Sequence, residues 1–92
     1  MKTVEDAAGL LSAMANPKRL QMLLLLANKE LSAGELTKLV DLDQSAASQH
    51  LAKLRAAALV ETRRQAQQIF YRCRVEKVQS VLTTLESIYM AK

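Results

Sequence analysis

A single cysteine among 92 residues cannot staple a secreted fold, and with one histidine and no Cys-x-x-Cys pair the chain offers no structural zinc cage. An oxidising compartment is therefore not implied. Tryptophan is absent and only Phe70, Tyr71 and Tyr89 are aromatic, so the apolar half of the chain is mainly Leu, Ala, Val and Met, which favours helices over a sandwich or barrel. Two glycines and one proline leave no linker, repeat or low-complexity tract, and the expectation is one domain over residues 1–92. No uncharged apolar run reaches the ~18 residues of a membrane helix. The start, Met1 to Asp6, lacks the apolar segment of a signal peptide, so no membrane partner and a cytoplasmic location are expected. There is no Gly-rich phosphate loop, and His50 has no His, Cys or Asp on an adjacent helical turn. Neither an enzyme, a cofactor nor a metal is expected.

What the chain does have is localised positive charge. Residues 1–46 carry five basic and six acidic side chains, a net of −1, whereas residues 47–92 carry eight and three, a net of +5. Lys53, Arg55, Arg63, Arg64, Arg72 and Arg74 are offset only by Glu61 between positions 53 and 74, a stripe that suits a polyanion. The plainer reading of such a stripe is a solvated surface.

Helical periodicity organises the first two thirds. Val4, Ala7, Ala8, Leu11, Met14 and Ala15 draw one stripe over 4–15. Asn16-Pro17 predicts the cap and first position of a second helix, apolar nearly all round through Leu20, Met22, Leu23, Leu24, Leu25, Leu26 and Ala27. Ser32 and Glu35 form a capping-box pattern for a third helix ending near Val40, and Asp43 caps a fourth from Gln44 to about Ala57. Two capped helices so close together make a helix-turn-helix pattern. Beyond Ala58 the period shifts towards two. Segments 59–63 and 68–72 read as strands joined by a turn over 64–67, and Val75, Val78, Val81, Leu82, Leu85, Ile88 and Tyr89 trace a closing helix. A chain this small gains core by self-association, so a homodimer is expected.

At ~100° per residue, Ala47, Leu51, Leu54 and Ala58 share one side of the fourth helix, opposite Ser45, Gln49, Ala52, Lys53 and Ala56, with Ser48 at the edge. A helix that enters the major groove of duplex DNA needs an outer face of this short, polar kind. The amides of Gln44 and Gln49 can pair with adenine N6 and N7, Ser45 and Ser48 serve bases or phosphates, and Lys53 suits a phosphate. Two roles stand open for His50: donation to a phosphate or carbonyl, and a purely structural one. Arg63, Arg64 and Gln65 are expected at the hairpin turn, reaching backbone or minor groove. Sequence-specific regulation through double-stranded DNA is the expected function, and a module serving only protein assembly is the rival.

The runs Ala13-Met14-Ala15-Asn16-Pro17-Lys18-Arg19-Leu20, Leu31-Ser32-Ala33-Gly34-Glu35-Leu36, Gln44-Ser45-Ala46-Ala47-Ser48-Gln49-His50-Leu51-Ala52-Lys53-Leu54-Arg55 and Arg63-Arg64-Gln65-Ala66-Gln67, with Tyr71, resemble the ArsR/SmtB-type winged helix-turn-helix repressors. The resemblance spans about Ala7 to Tyr89. It implies a mainly α fold with a small β-hairpin, dimerising through the terminal helices and repressing from an inverted-repeat operator. It places Leu10, Leu11, Met14, Leu82, Leu85, Ile88 and Tyr89 at the dimer interface. Metal-sensing members carry Cys ligands near the third helix or His and carboxylate ligands on the last, and neither Cys in 38–42 nor His in the last helix is present here. The persulfide-sensing members use two cysteines, at places that align with Leu24 and Met90. A redox- or sulfide-responsive variant is left with Cys73, whose neighbours Arg72 and Arg74 are expected to favour its thiolate.

Overall fold

The computed structural model describes residues 2–90, with the side chain of Met90 outside the described set. The elements run α1 (Lys2–Met14), α2 (Pro17–Asn28), β1 (Leu31–Ser32), α3 (Ala33–Leu39), α4 (Gln44–Ala56), β2 (Glu61–Gln65), β3 (Gln68–Arg72) and α5 (Glu76–Leu85), extended by one π-helical turn (Glu86–Met90).

Three local caps fix where the central helices begin. The Asn16 side-chain oxygen accepts from the amides of Lys18 at 2.9 Å and Arg19 at 3.1 Å, while Pro17 fills a first-turn position that needs no amide hydrogen. Ser32 Oγ accepts from Glu35 N at 3.1 Å and Ser32 N donates to Glu35 Oε1 at 2.8 Å, completing the capping box of α3. Asp43 Oδ1 accepts from Ala46 N at 2.8 Å and starts α4. Between α3 and α4 the chain turns through Asp41 at φ 56°, and Leu42 packs against the core.

α2 is the central element, as its all-round apolarity predicts. Met22, Leu23 and Leu26 are fully buried, and Leu20, Leu24 and Leu25 pack against the same cluster. Each of the three fully buried side chains contributes about 1.5–3 kcal/mol by leaving water. Leu36, Val40, Ala47, Leu51, Leu54, Leu59, Tyr71, Cys73 and Val78 complete the core from the other elements.

The sheet differs from the expected hairpin. It has three antiparallel strands in the order β1-β3-β2, because Leu31 and Ser32 pair with Tyr71 and Phe70. The second strand begins at Glu61 rather than Leu59, and the turn narrows from 64–67 to Ala66 and Gln67, with Ala66 at φ 57°. Arg63, Arg64 and Gln65 are therefore strand residues and do not lie at a turn, a correction to the expected position.

The terminal helices stay largely uncovered. In α1 only Met14 is buried, while Val4 and Leu11 are 58% and 54% exposed; near the end of the chain Ile88 and Tyr89 are 63% and 77% exposed. Leu10 and Leu85 are half-buried. Met14 and Leu82, expected on a free dimer face, are instead 3% and 4% exposed within the chain's own core. Their periodicity marks a buried face, and the rest of the same chain already covers it.

Candidate nucleic-acid interface

The outer face of α4 carries what the sequence placed there. Ala47, Leu51 and Leu54 are buried, whereas Gln44, Ser45, Ser48, Gln49, Ala52 and Lys53 are exposed; Ala58, expected on the buried side, is instead exposed past the end of the helix, in left-handed backbone. A cleft of about 290 Å³ between α3 and α4 is bordered by Gly34, Thr37, Lys38, Gln44 and Ser48. A second recess of about 360 Å³ is bordered by Ser32, Gly34, Ser48, Gln67, Gln68 and Ile69. Ser48 lies on both, so one concave surface runs from α3 across α4 to the tip of the hairpin. Lys38, Gln67 and Gln68 were not anticipated as part of it. The habit of the first helix of such a motif to lie across the nucleic-acid backbone could have flagged Lys38.

His50 is half-buried at the inner edge of α4, with Nδ1 3.3 Å from Nη1 of Arg19. A guanidinium only donates, so Nδ1 must accept and the ring proton sits on Nε2. Desolvation, then the charges of Arg19 and Lys53, hold His50 below the usual imidazole value. The structural role left open for this residue is thus occupied, through one nitrogen.

The adjacent arginines of β2, Arg63 and Arg64, part company because strand neighbours face opposite sides of a sheet. Arg63 pairs across from Phe70 and Arg64 from Ile69. Ile69 and Tyr71 border the recess beside Ser48, so Arg64 shares the sheet face that looks towards α4. Arg63 lies on the other face and is fully engaged: Nε and Nη2 donate to Glu30 at 2.7 and 2.8 Å, Nη1 donates to Gln65 Oε1 at 2.7 Å, and the guanidinium carbon sits 4.7 Å from the Phe70 ring centre. The hydrogen bond from Arg63 lowers the carboxyl pKa of Glu30, and Glu30 raises that of Arg63 in return. Glu61 pairs with Arg74 on the same outer face at 3.1 Å. Arg63 and Gln65 are thus committed to each other, contrary to the expected free basic tip, whereas Arg64 forms no ion pair among the described residues.

Cys73 reverses its expectation. It is fully buried behind β3, and burial pushes its thiol up rather than towards thiolate. Arg72 and Arg74, its neighbours in sequence, are not among the causes of its shift. Among the described residues no group of three or more His, Cys, Asp or Glu side chains is placed to hold a metal, and no helix is long and apolar enough to cross a membrane.

Comparison with known proteins agrees with this geometry. Nodulation protein NolR of Rhizobium meliloti is 54% identical over 85 residues, covering 92% of this chain and 70% of the relative. The crystal structure of NolR from Sinorhizobium fredii superposes with a TM-score of 0.93 at 52% identity, over 99% of this chain and 91% of that one. Transcriptional activator HlyU of Vibrio cholerae is 47% identical over 96% of this chain and 82% of its own length. A biofilm growth-associated repressor of Agrobacterium fabrum is 41% identical over 98% and 77%. The family described as bacterial regulatory protein, arsR family, matches residues 16–62, which run from the cap of α2 through α4 into β2. With a winged helix-turn-helix fold, an exposed polar α4 and relatives of this kind, the chain belongs to the ArsR family of DNA-binding transcription regulators and is not an enzyme.

Proposed function

We propose that this chain is a cytoplasmic homodimeric repressor that acts as one DNA-binding domain and occupies an inverted-repeat operator, with no metal in its switch. The observation that carries the reading is the short, uncharged outer face of α4, with Gln44, Ser45, Ser48 and Gln49 all exposed beside a concave surface. Gln44 and Gln49 read bases, Ser45 and Ser48 serve bases or backbone, and His50, Lys53 and Arg64 contact the backbone. Arg63 and Gln65 contribute by holding the hairpin in place. The dimer forms through Leu10, Leu11, Leu85, Ile88 and Tyr89, of which Leu11, Ile88 and Tyr89 are exposed and Leu10 and Leu85 half-buried within the chain. Its two α4 helices then enter successive major grooves about 34 Å apart.

Selection of bound duplexes from genomic fragments, followed by titration against salt, tests this. About four phosphate contacts per protomer give a slope of log affinity against log salt of roughly −7. A slope near zero supports the assembly module instead. Transcription across the selected site, with and without the protein, separates repression from activation.

Release by oxidation at Cys73 is a weaker reading, since the thiol is sealed from solvent.

A further inference from the structure

Arg19 is the one side chain whose described hydrogen bonds join α1 to α4. It is 8% exposed, yet it forms no ion pair among the described residues. A buried guanidinium without a carboxylate is costly unless its donors are otherwise met. Here the partners are the end of one helix and the flank of another. Nε donates to Ala13 O at 2.6 Å, Nη2 to Ser12 O at 3.4 Å, and Nη1 to His50 Nδ1 at 3.3 Å. The last turn of α1 has carbonyls without helical partners and no basic residue of its own, so Arg19 supplies both donors and positive charge there. The planar fork of an arginine can bridge three acceptors at once, which a lysine ammonium on a flexible stem does less rigidly. The remaining nitrogen of His50, Nε2, has no hydrogen-bond partner among the described residues and is not sealed from solvent.

We propose that Arg19 is a positioning residue for operator binding: it clamps the end of α1 to α4 and presents His50 as a neutral ring with its Nε2–H free for DNA. Because α1 belongs to the dimer face and α4 to the groove, this clamp sets the distance between the two recognition helices. The inference rests on the homodimeric reading above.

The test uses a series of symmetric operators whose half-sites are moved together or apart by one base pair, measured with the full chain. The unaltered protein favours the best spacing about tenfold over its neighbours, a loss comparable with one mismatched base pair. Arg19→Met keeps the apolar stem and removes the donors; His50→Leu removes the acceptor from a half-buried site. Each flattens the preference to within about threefold, and the double variant is no flatter than either single one, because both break one link. His50→Gln, which can still accept on one atom and donate on another, restores the preference. A long-range proton–nitrogen spectrum of the unaltered protein shows Nδ1 unprotonated and Nε2 protonated. Full spacing preference in both Arg19→Met and His50→Leu, loss of preference in His50→Gln, or a protonated Nδ1 would overturn the proposal. A chain that is monomeric, or that binds no duplex specifically before any substitution, removes the dimeric repressor itself and this inference with it.

Discussion

Two arginines adjacent in sequence should differ sharply in what they contribute to DNA affinity. Arg64 has no ion pair among the described residues and shares the sheet face that looks towards α4, whereas all the guanidinium nitrogens of Arg63 are engaged by Glu30 and Gln65. Each phosphate contact contributes about −0.9 to the slope of log affinity against log salt, so losing Arg64 from both protomers of a dimer makes the slope shallower by about 1.8. Between 50 and 200 mM salt, unaltered protein should therefore lose roughly twelvefold more affinity than Arg64→Ala. Arg63→Ala removes an exposed pair and a ring contact but no phosphate contact, and its slope should match the parent's. Both variants should weaken binding without relaxing base preference, since neither side chain reads a base. Fluorescence anisotropy at four salt concentrations, on one operator and one scrambled duplex, gives all the slopes needed. Equal slopes for Arg64→Ala and the parent, or a shallower slope for Arg63→Ala alone, would refute the assignment of the two sheet faces.

Three further outcomes follow from the same geometry. His50 is held below the usual imidazole value of 6.5, so well above that pH the ring is neutral in both folded and unfolded chains and stability is flat. As pH falls from 6.5 towards the folded value the unfolded chain takes the proton first; urea midpoints should decline over that window, and His50→Gln should lose this component. Cys73 should resist a thiol reagent in the native protein and react fully in urea, while Cys73→Ser leaves operator affinity unchanged and costs about 1–3 kcal/mol of stability by burying a hydroxyl. Ile88 is 63% exposed within the chain, so Ile88→Glu should leave the circular dichroism spectrum intact, yet sedimentation should show monomers and operator binding should weaken.

Features encoded within a few residues were legible in the sequence. Asn16, Ser32 with Glu35, and Asp43 each cap a helix through partners no more than three positions away. The division of α4 into a buried and an exposed side follows from helical period alone. What escaped depended on distant partners. β1 is two residues long and exists because β3, about forty positions on, offers it an edge. Glu30 and Arg63 are 33 positions apart, so no local pattern announces their pairing. Met14 and Leu82 showed the right period for burial, but period does not say which surface does the burying. Cys73 was misread from its sequence neighbours, because a chain running on from an extended strand turns successive side chains to opposite sides.

Two alanines flank β2 in left-handed backbone, Ala58 at φ 59° and Ala66 at φ 57°, where an L side chain costs roughly 1 kcal/mol and glycine costs almost nothing. The hairpin is thus entered and rounded at some expense by residues that limit its freedom. Glycine at either place would relax the folded geometry but widen the unfolded ensemble, so thermal resistance should change little. The larger effect would be on suppleness: an arm hinged on glycines could find many DNA shapes, whereas one hinged on alanines keeps Arg64 aimed in one direction before any duplex arrives.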